Sequence, residues 1–223
     1  MSDYINTIYN EDSRPINSYP GKLAKYIFSN FNLKPNDKFL EPGFGRGEFL
    51  NEFHKLGLDC YGIDISDSAG NLFKENLKIK TGINVEQDTW PFPDNYFDCV
   101  YSKSLMEHLQ DPQKYLTEAK RVLKPGGKIL CFIPDWEANY QIYFDDHTHV
   151  KPFTKVSLRD ILMMTEFKSI KVYRFRQLPI TWKYPLINII SYLVSFFVPH
   201  RSKIKFFRWS KELMLIGYGE KTI

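Results

Sequence analysis

The sequence predicts an α/β fold, a mostly parallel sheet flanked by helices, and three observations carry that expectation. A short apolar run, Phe39-Leu40-Glu41, passes through glycines at alternate positions, Gly43, Gly45 and Gly47. It leads into an amphipathic run with Phe49, Leu50, Phe53 and Leu56 at helical spacing. A second apolar run, residues 59–64, ends in Asp64, 23 residues after Glu41. That is about the distance at which nucleotide-binding α/β folds place the acid that bonds ribose hydroxyls. Strand-like and helix-like runs then alternate towards the end of the chain.

The glycine turn sets the chemistry. Gly43 and Gly45 allow the backbone to approach a ligand with no Cβ in the way. The helix start behind them offers free N–H groups and a positive dipole end. The spacing is G-x-G-x-G, not the dinucleotide pattern G-x-G-x-x-G. Glu41, two residues before the first glycine, would repel a pyrophosphate and suits a ligand carrying an ammonium or sulfonium. As E-x-G-x-G-x-G, the segment resembles motif I of the class I S-adenosylmethionine-dependent methyltransferases. The resemblance implies that Glu41, Gly43, Phe44, Gly45 and Gly47 hold the methionine part of S-adenosyl-L-methionine. It gives the ribose to Asp64 and sets Ile65 against the adenine. A tight packing turn and, for Asp64, a helix N-cap before Ser66-Asp67-Ser68 are the alternatives.

Length and composition bound the rest. The 223 residues fit one domain with a modest extension, and 43% hydrophobic content supports a full core. Cys60, Cys99 and Cys131 lie in apolar runs with no C-x-x-C pair, so they read as buried thiols in a reducing compartment. The polar N-terminus has no apolar signal region, and a cytoplasmic location is expected. Residues 1–150 hold 16 Lys+Arg and 22 Asp+Glu, whereas residues 151–223 hold 14 and 4. That asymmetry points the C-terminal part at something anionic, or is a solvated basic face. No nucleic-acid motif stands out, and no nucleic acid is expected as partner.

Along the chain, residues 1–20 read as an arm whose Tyr4, Tyr9 and Tyr19 either pack or cover the cofactor. Residues 21–31 read as a helix, 70–80 as another and 84–87 as the third strand. The resemblance then gives Asp88 and Thr89 to the adenine. The segment P-F-P-D-x-x-F-D-x-V, residues 91–100, is followed by E-H-L at 107–109 and D-P at 111–112. In that order these pieces are similar to type 11 and type 23 methyltransferase domains. Ser102 ends the fourth strand on the cofactor side. Glu107 and His108 behind it either face the substrate or cap and pack a short helix. L-K-P-G-G at 123–127 stops a helix and turns into the fifth strand.

Asp145-Asp146-His147-Thr148-His149 is a titratable cluster in the loop after the fifth strand. A histidine here would take a proton from an acceptor hydroxyl. H-x-H beside acids would also suit a metal, and a loop bonding its own backbone needs neither. His149 is the first candidate for catalysis and His147 the second. Asp146 is assigned to substrate, and no metal is expected. Ser157 reads as the N-cap of a helix to Met164. Residues 167–175 read as the sixth strand and 212–218 as the seventh. Between them, apolar residues 184–198 precede a basic, aromatic stretch ending at Trp209. This suits an anionic membrane surface, a homodimer contact or a lid over the acceptor.

The fold implied is a Rossmann-like sheet of seven strands, order 3-2-1-4-5-7-6 with the last antiparallel. One domain would comprise an arm and helix (1–34), a cofactor-binding core (35–178), an apolar and basic helical insertion (179–211) and a last strand (212–223). The activity implied is methyl transfer. The acceptor expected is a sugar, glycolipid or nucleotide-linked hydroxyl, because residues 145–153 resemble enzymes of surface-polysaccharide pathways. The alternatives are a small metabolite with a quinone-type or carboxylate acceptor, and a non-catalytic binding module. Peripheral contact with the inner membrane surface is the localisation alternative.

Overall fold

The computed structural model describes residues 4–7, 15–73 and 77–222. In chain order the elements are α1 (Tyr4–Thr7), α2 (Tyr19–Asn30), β1 (Lys38–Pro42), α3 (Glu48–Lys55), β2 (Asp59–Ile63), β3 (Lys78–Lys80) and β4 (Phe97–Lys103). They continue with α4 (Pro112–Val122), β5 (Leu123–Pro134), α5 (Trp136–Asn139), α6 (Lys155–Met164), β6 (Lys168–Arg176), α7 (Pro179–Lys183), α8 (Pro185–Ser195), α9 (Lys205–Lys211) and β7 (Leu213–Glu220). The seven strands form one sheet in the order β3-β2-β1-β4-β5-β7-β6. β7 runs antiparallel to both β5 and β6, while the pairs among β1 to β5 are parallel.

Strand alternation divides the core between the two faces of the sheet. Phe39, Cys99, Tyr101, Leu130 and Phe132 face α2 and α3. Leu40, Val100, Ile129, Cys131 and Ile133 face α4 and α6. Phe39 lies 4.3 Å, ring to ring, from Phe53 of α3, and both are fully buried. Truncating either to Ala costs about 3–5 kcal/mol. The three cysteines are buried free thiols, with burial raising each pKa. The direction of winding reverses between β1 and β4, and ligands of such sheets sit outside the strand ends at that point.

Several local expectations change. The third strand is Lys78–Lys80, with Ile79 paired to Gly62, and not residues 84–87. There the Asp88 carboxylate accepts from the Asn84 N–H at 2.7 Å, and the Asp88 N–H donates to the Asn84 carbonyl at 2.9 Å. These bonds close a turn and compete with a strand ladder. The helix expected over 70–80 is turn at 70–73 and strand at 78–80, residues 74–76 lying outside the described residues. The cap of α6 is Thr154, not Ser157. Ser157 is the third residue of that helix and closes a capping box with Thr154. Tyr19 packs against Phe49, Trp182 and Trp209. Tyr9 lies outside the described residues.

Candidate functional site

The donor half is built where β1 ends. Gly43 has φ +66°, and its N–H donates to the Ile63 carbonyl at 2.8 Å, tying the turn to β2. A Cβ on Gly43 would lie 2.6 Å from Leu105, so only glycine fits here. Gly45 also has positive φ, and its N–H donates to Asp64 Oδ2 at 2.9 Å. Asp64 is buried and fully engaged. Its Oδ1 accepts from the Ser66 N–H at 2.8 Å, and the Tyr4 hydroxyl donates to Oδ2 at 3.1 Å and Oδ1 at 3.3 Å. Burial pushes its carboxyl up, against the pull of those hydrogen bonds.

Glu41 is 3% exposed, and among the described residues its Oε2 has no hydrogen-bond partner. Burial holds its carboxyl well above the ordinary range, Lys103 lowering it and Asp64 raising it further. A buried carboxylate oxygen left open is costly. It fits a ligand that brings its own positive charge. The Tyr4 hydroxyl on Asp64 does what a ribose hydroxyl would do. A left-handed glycine turn, an open Glu41 and a hydroxyl-binding Asp64 therefore fit S-adenosyl-L-methionine.

A second cluster comes from the segment after β4. Leu105 rests on Gly43, and a single helical turn, Met106–His108, follows. The Val150 and Lys151 N–H groups both donate to the Glu107 carbonyl, at 2.9 and 3.0 Å, which brings the loop after β5 alongside. Glu107, His108 and His149 then share one cluster, each offering a ligand atom within 4.8 Å of the others. His149 Nδ1 lies 2.7 Å from the Tyr143 carbonyl. A carbonyl only accepts, so Nδ1 is the donor there, and Nε2 stands 3.9 Å from Asp146 Oδ2. His108 Nδ1 likewise faces the Thr148 carbonyl at 3.3 Å and the Thr148 hydroxyl at 2.9 Å. That hydroxyl donates onward to Asp146 Oδ1 at 2.6 Å.

Glu107 is fully buried, and neither carboxyl oxygen has a hydrogen-bond partner among the described residues. Burial pushes it up to about 8, offset only in part by its own N–H, Lys103 and Ser104. Burial and the neighbouring His149 hold His108 below its ordinary value. Asp146 stays low because hydrogen bonds from Thr148 outweigh burial. Two donors of one first-row ion stand at most about 4.3 Å apart. Those three ligand atoms, within 4.8 Å of one another, form a group that could hold a metal ion after a small closure.

Other predicted residues fall elsewhere. His147 is exposed and lies outside the cluster. The Phe44 ring is buried against Gly62 and Gly70, so Phe44 offers a ligand only its backbone. Ser102 is buried in β4 beside Tyr115 and Cys131. Ile65 is 38% exposed next to Asp64, as a residue meeting a ring face would be. Asp88 and Thr89 sit on an exposed turn. They line a cleft of about 460 Å³ against α4, whose walls include neither Glu41 nor Asp64. The residue tied to the ribose acid is Ile83, whose N–H donates to the Asp64 carbonyl at 3.0 Å. Gly82 before it, at φ +72°, was the available signal for that turn.

This is a class I methyltransferase architecture. Residues 40–131 match the model of a methyltransferase domain. A phosphoethanolamine N-methyltransferase of Plasmodium falciparum is 30% identical over 162 residues, 67% of this chain and 60% of that protein. An uncharacterized protein of Methanocaldococcus jannaschii is 32% identical over 150 residues, covering 61% of this chain and 67% of the relative. A ubiquinone/menaquinone biosynthesis C-methyltransferase of Vibrio cholerae is 32% identical over 106 residues, 44% of this chain and 41% of that enzyme. The chain thus spans about half the length of the named relatives. Among solved structures, a SAM-dependent methyltransferase of Archaeoglobus fulgidus superposes with TM-score 0.69 at 18% identity, covering 97% of this chain and 99% of the other. The chain belongs to the class I SAM-dependent methyltransferases, with S-adenosyl-L-methionine as methyl donor.

Proposed function

We propose that this chain methylates a small-molecule acceptor presented to Glu107, His108 and His149. The observation that carries the reading is His149, whose Nδ1–H is fixed on the Tyr143 carbonyl and whose Nε2 faces Asp146 Oδ2 at 3.9 Å, beyond hydrogen-bond reach. When bound, S-adenosyl-L-methionine supplies a methyl already activated by its sulfonium, so the protein has chiefly to align and deprotonate the acceptor. Glu41 faces the positive charge of the donor, and Asp64 accepts from the ribose hydroxyls in place of Tyr4. His149 Nε2 takes the acceptor proton. Glu107, held protonated near neutral pH by burial, donates its O–H to the acceptor. Leu105 against Gly43 keeps the two halves in register.

The relatives favour a small metabolite over the sugar or glycolipid hydroxyl expected from residues 145–153. Their names point to phosphoethanolamine and to quinone biosynthesis. Titration calorimetry with S-adenosylhomocysteine tests the donor site. The wild-type chain is expected to bind. Glu41→Gln combined with Asp64→Asn is expected to weaken binding on the order of a hundredfold or more, through lost charge-assisted hydrogen bonds. Absence of wild-type binding, or equal binding by the double variant, overturns the assignment.

A further inference from the structure

α8 is amphipathic in the reverse sense to an ordinary surface helix. Its polar side chains turn to the protein. Buried Ser191 donates to the Ser210 hydroxyl on α9 at 2.8 Å, and Asn188 accepts from the Arg176 guanidinium at 2.7 Å. Its large apolar side chains turn outward. Leu186, Ile189, Ile190 and Leu193 follow the i, i+3, i+4, i+7 pattern of a single helix face, which runs on into Phe196 and Phe197. Exposure along that stripe ranges from 54% at Ile190 to 89% at Phe197. A contiguous apolar face of this kind marks an interaction site.

Charge decides the occupant. Residues 167–211 contain ten Lys and Arg and not one Asp or Glu. Lys183 before α8 and Lys203 and Lys205 after it are exposed. A second copy would bring an equally basic face to this one, and like charges across an interface oppose association. An anionic bilayer offers both an apolar layer and negative charge. No helix among the described residues is long and apolar enough to cross a membrane, and α8 has only 11 residues. A short helix with an apolar outer face and flanking cations lies in the plane of the lipid surface.

We propose that α8, the turn behind it and α9 dock this protein on an anionic lipid surface. The docked face is tied to the acceptor loop. Arg201 makes two hydrogen bonds to Asp145, at 2.8 and 2.7 Å, two residues beyond the Tyr143 carbonyl that orients His149. The inference does not depend on the acceptor assignment.

Flotation of the full chain tests it, with vesicles of phosphatidylcholine alone and of phosphatidylcholine containing phosphatidylglycerol. The chain is expected to float with the anionic vesicles, to stay behind with the neutral ones, and to be released by high salt. Ile189→Ser with Leu193→Ser and Phe197→Ser changes only outward side chains, so its melting temperature should match wild type while flotation is lost. Lys203→Ala with Lys205→Ala should lower partitioning on the order of tenfold or more. No flotation with anionic vesicles, or flotation unchanged in both variants, overturns the proposal. A wild-type dimer in light scattering that the serine variant converts to monomer also overturns it, assigning the face to a second copy.

Discussion

Asp64 and Glu107 are both buried carboxyl groups at ends of neighbouring parts of one sheet, and they are treated oppositely. Asp64 accepts from two backbone N–H groups and a tyrosine hydroxyl. Glu107 has neither carboxyl oxygen in a well-formed hydrogen bond among the described residues, and its own N–H and Ser104 offset its burial only in part. The first is held in place by the backbone of the glycine turn and by Ser66, with the Tyr4 hydroxyl added from the arm. The second belongs to a site with open valences, which an acceptor must fill. Removing His149 tests that division most severely. His149→Ala should lower the rate of methyl transfer on the order of 10²–10⁴-fold, the usual worth of a positioned base, while S-adenosylhomocysteine affinity stays at the wild-type value. A loss of donor affinity in that variant would show that the two halves are not separate.

Glu107 offers the next largest effect, read as stability. Its pKa is raised in the folded protein, to about 8 against an ordinary 4.5. A raised group stabilises fully below its unfolded pKa, and that contribution is lost as pH rises through the folded pKa. Stability from this group should therefore fall between about pH 4.5 and pH 8. At pH 9 the loss amounts to on the order of 4–5 kcal/mol. Glu107→Gln carries no such proton and should flatten that decline, melting higher than wild type at pH 9. Parallel melting curves for the two proteins across that range would mean Glu107 already has a partner in solution.

The same contrast explains what the sequence made legible. Glu41, the glycine turn and Asp64 are local features, fixed by spacing within one strand–turn–helix unit and the next strand. The sheet order came with the family resemblance those motifs carry, and the structure has that order. The acceptor cluster is not local. His108 and His149 lie 41 residues apart in sequence and meet, with ring centroids 4.8 Å apart, because the Glu107 carbonyl accepts two N–H groups from the later loop. Nothing in H-T-H separates exposed His147 from half-buried His149. That difference is set by the Tyr143 carbonyl, which the loop's path brings to one ring. The third strand was misplaced because Asn84 and Asp88 are turn formers whose bonds outweighed the neighbouring apolar residues. The basic, apolar C-terminal segment was visible as composition, but which face of α8 turned outward depended on Ser210 and Arg176, far along the chain.

The smallest effect concerns Tyr4, a side chain that crosses from the arm to Asp64. Tyr4 on α1 holds both oxygens of Asp64, so a ribose hydroxyl must take its place. That exchange costs the bond to Tyr4, about 0.5–1.5 kcal/mol for a typical hydrogen bond and up to about 3 kcal/mol where a charged group accepts it. Tyr4→Phe removes the competitor while keeping the ring, so S-adenosylhomocysteine should bind about 2- to 10-fold more tightly. Calorimetry on the variant decides the sign. Weaker binding would mean that the hydroxyl stays on and closes over the bound nucleoside, and the donor half would then be completed by the arm as well as by the backbone.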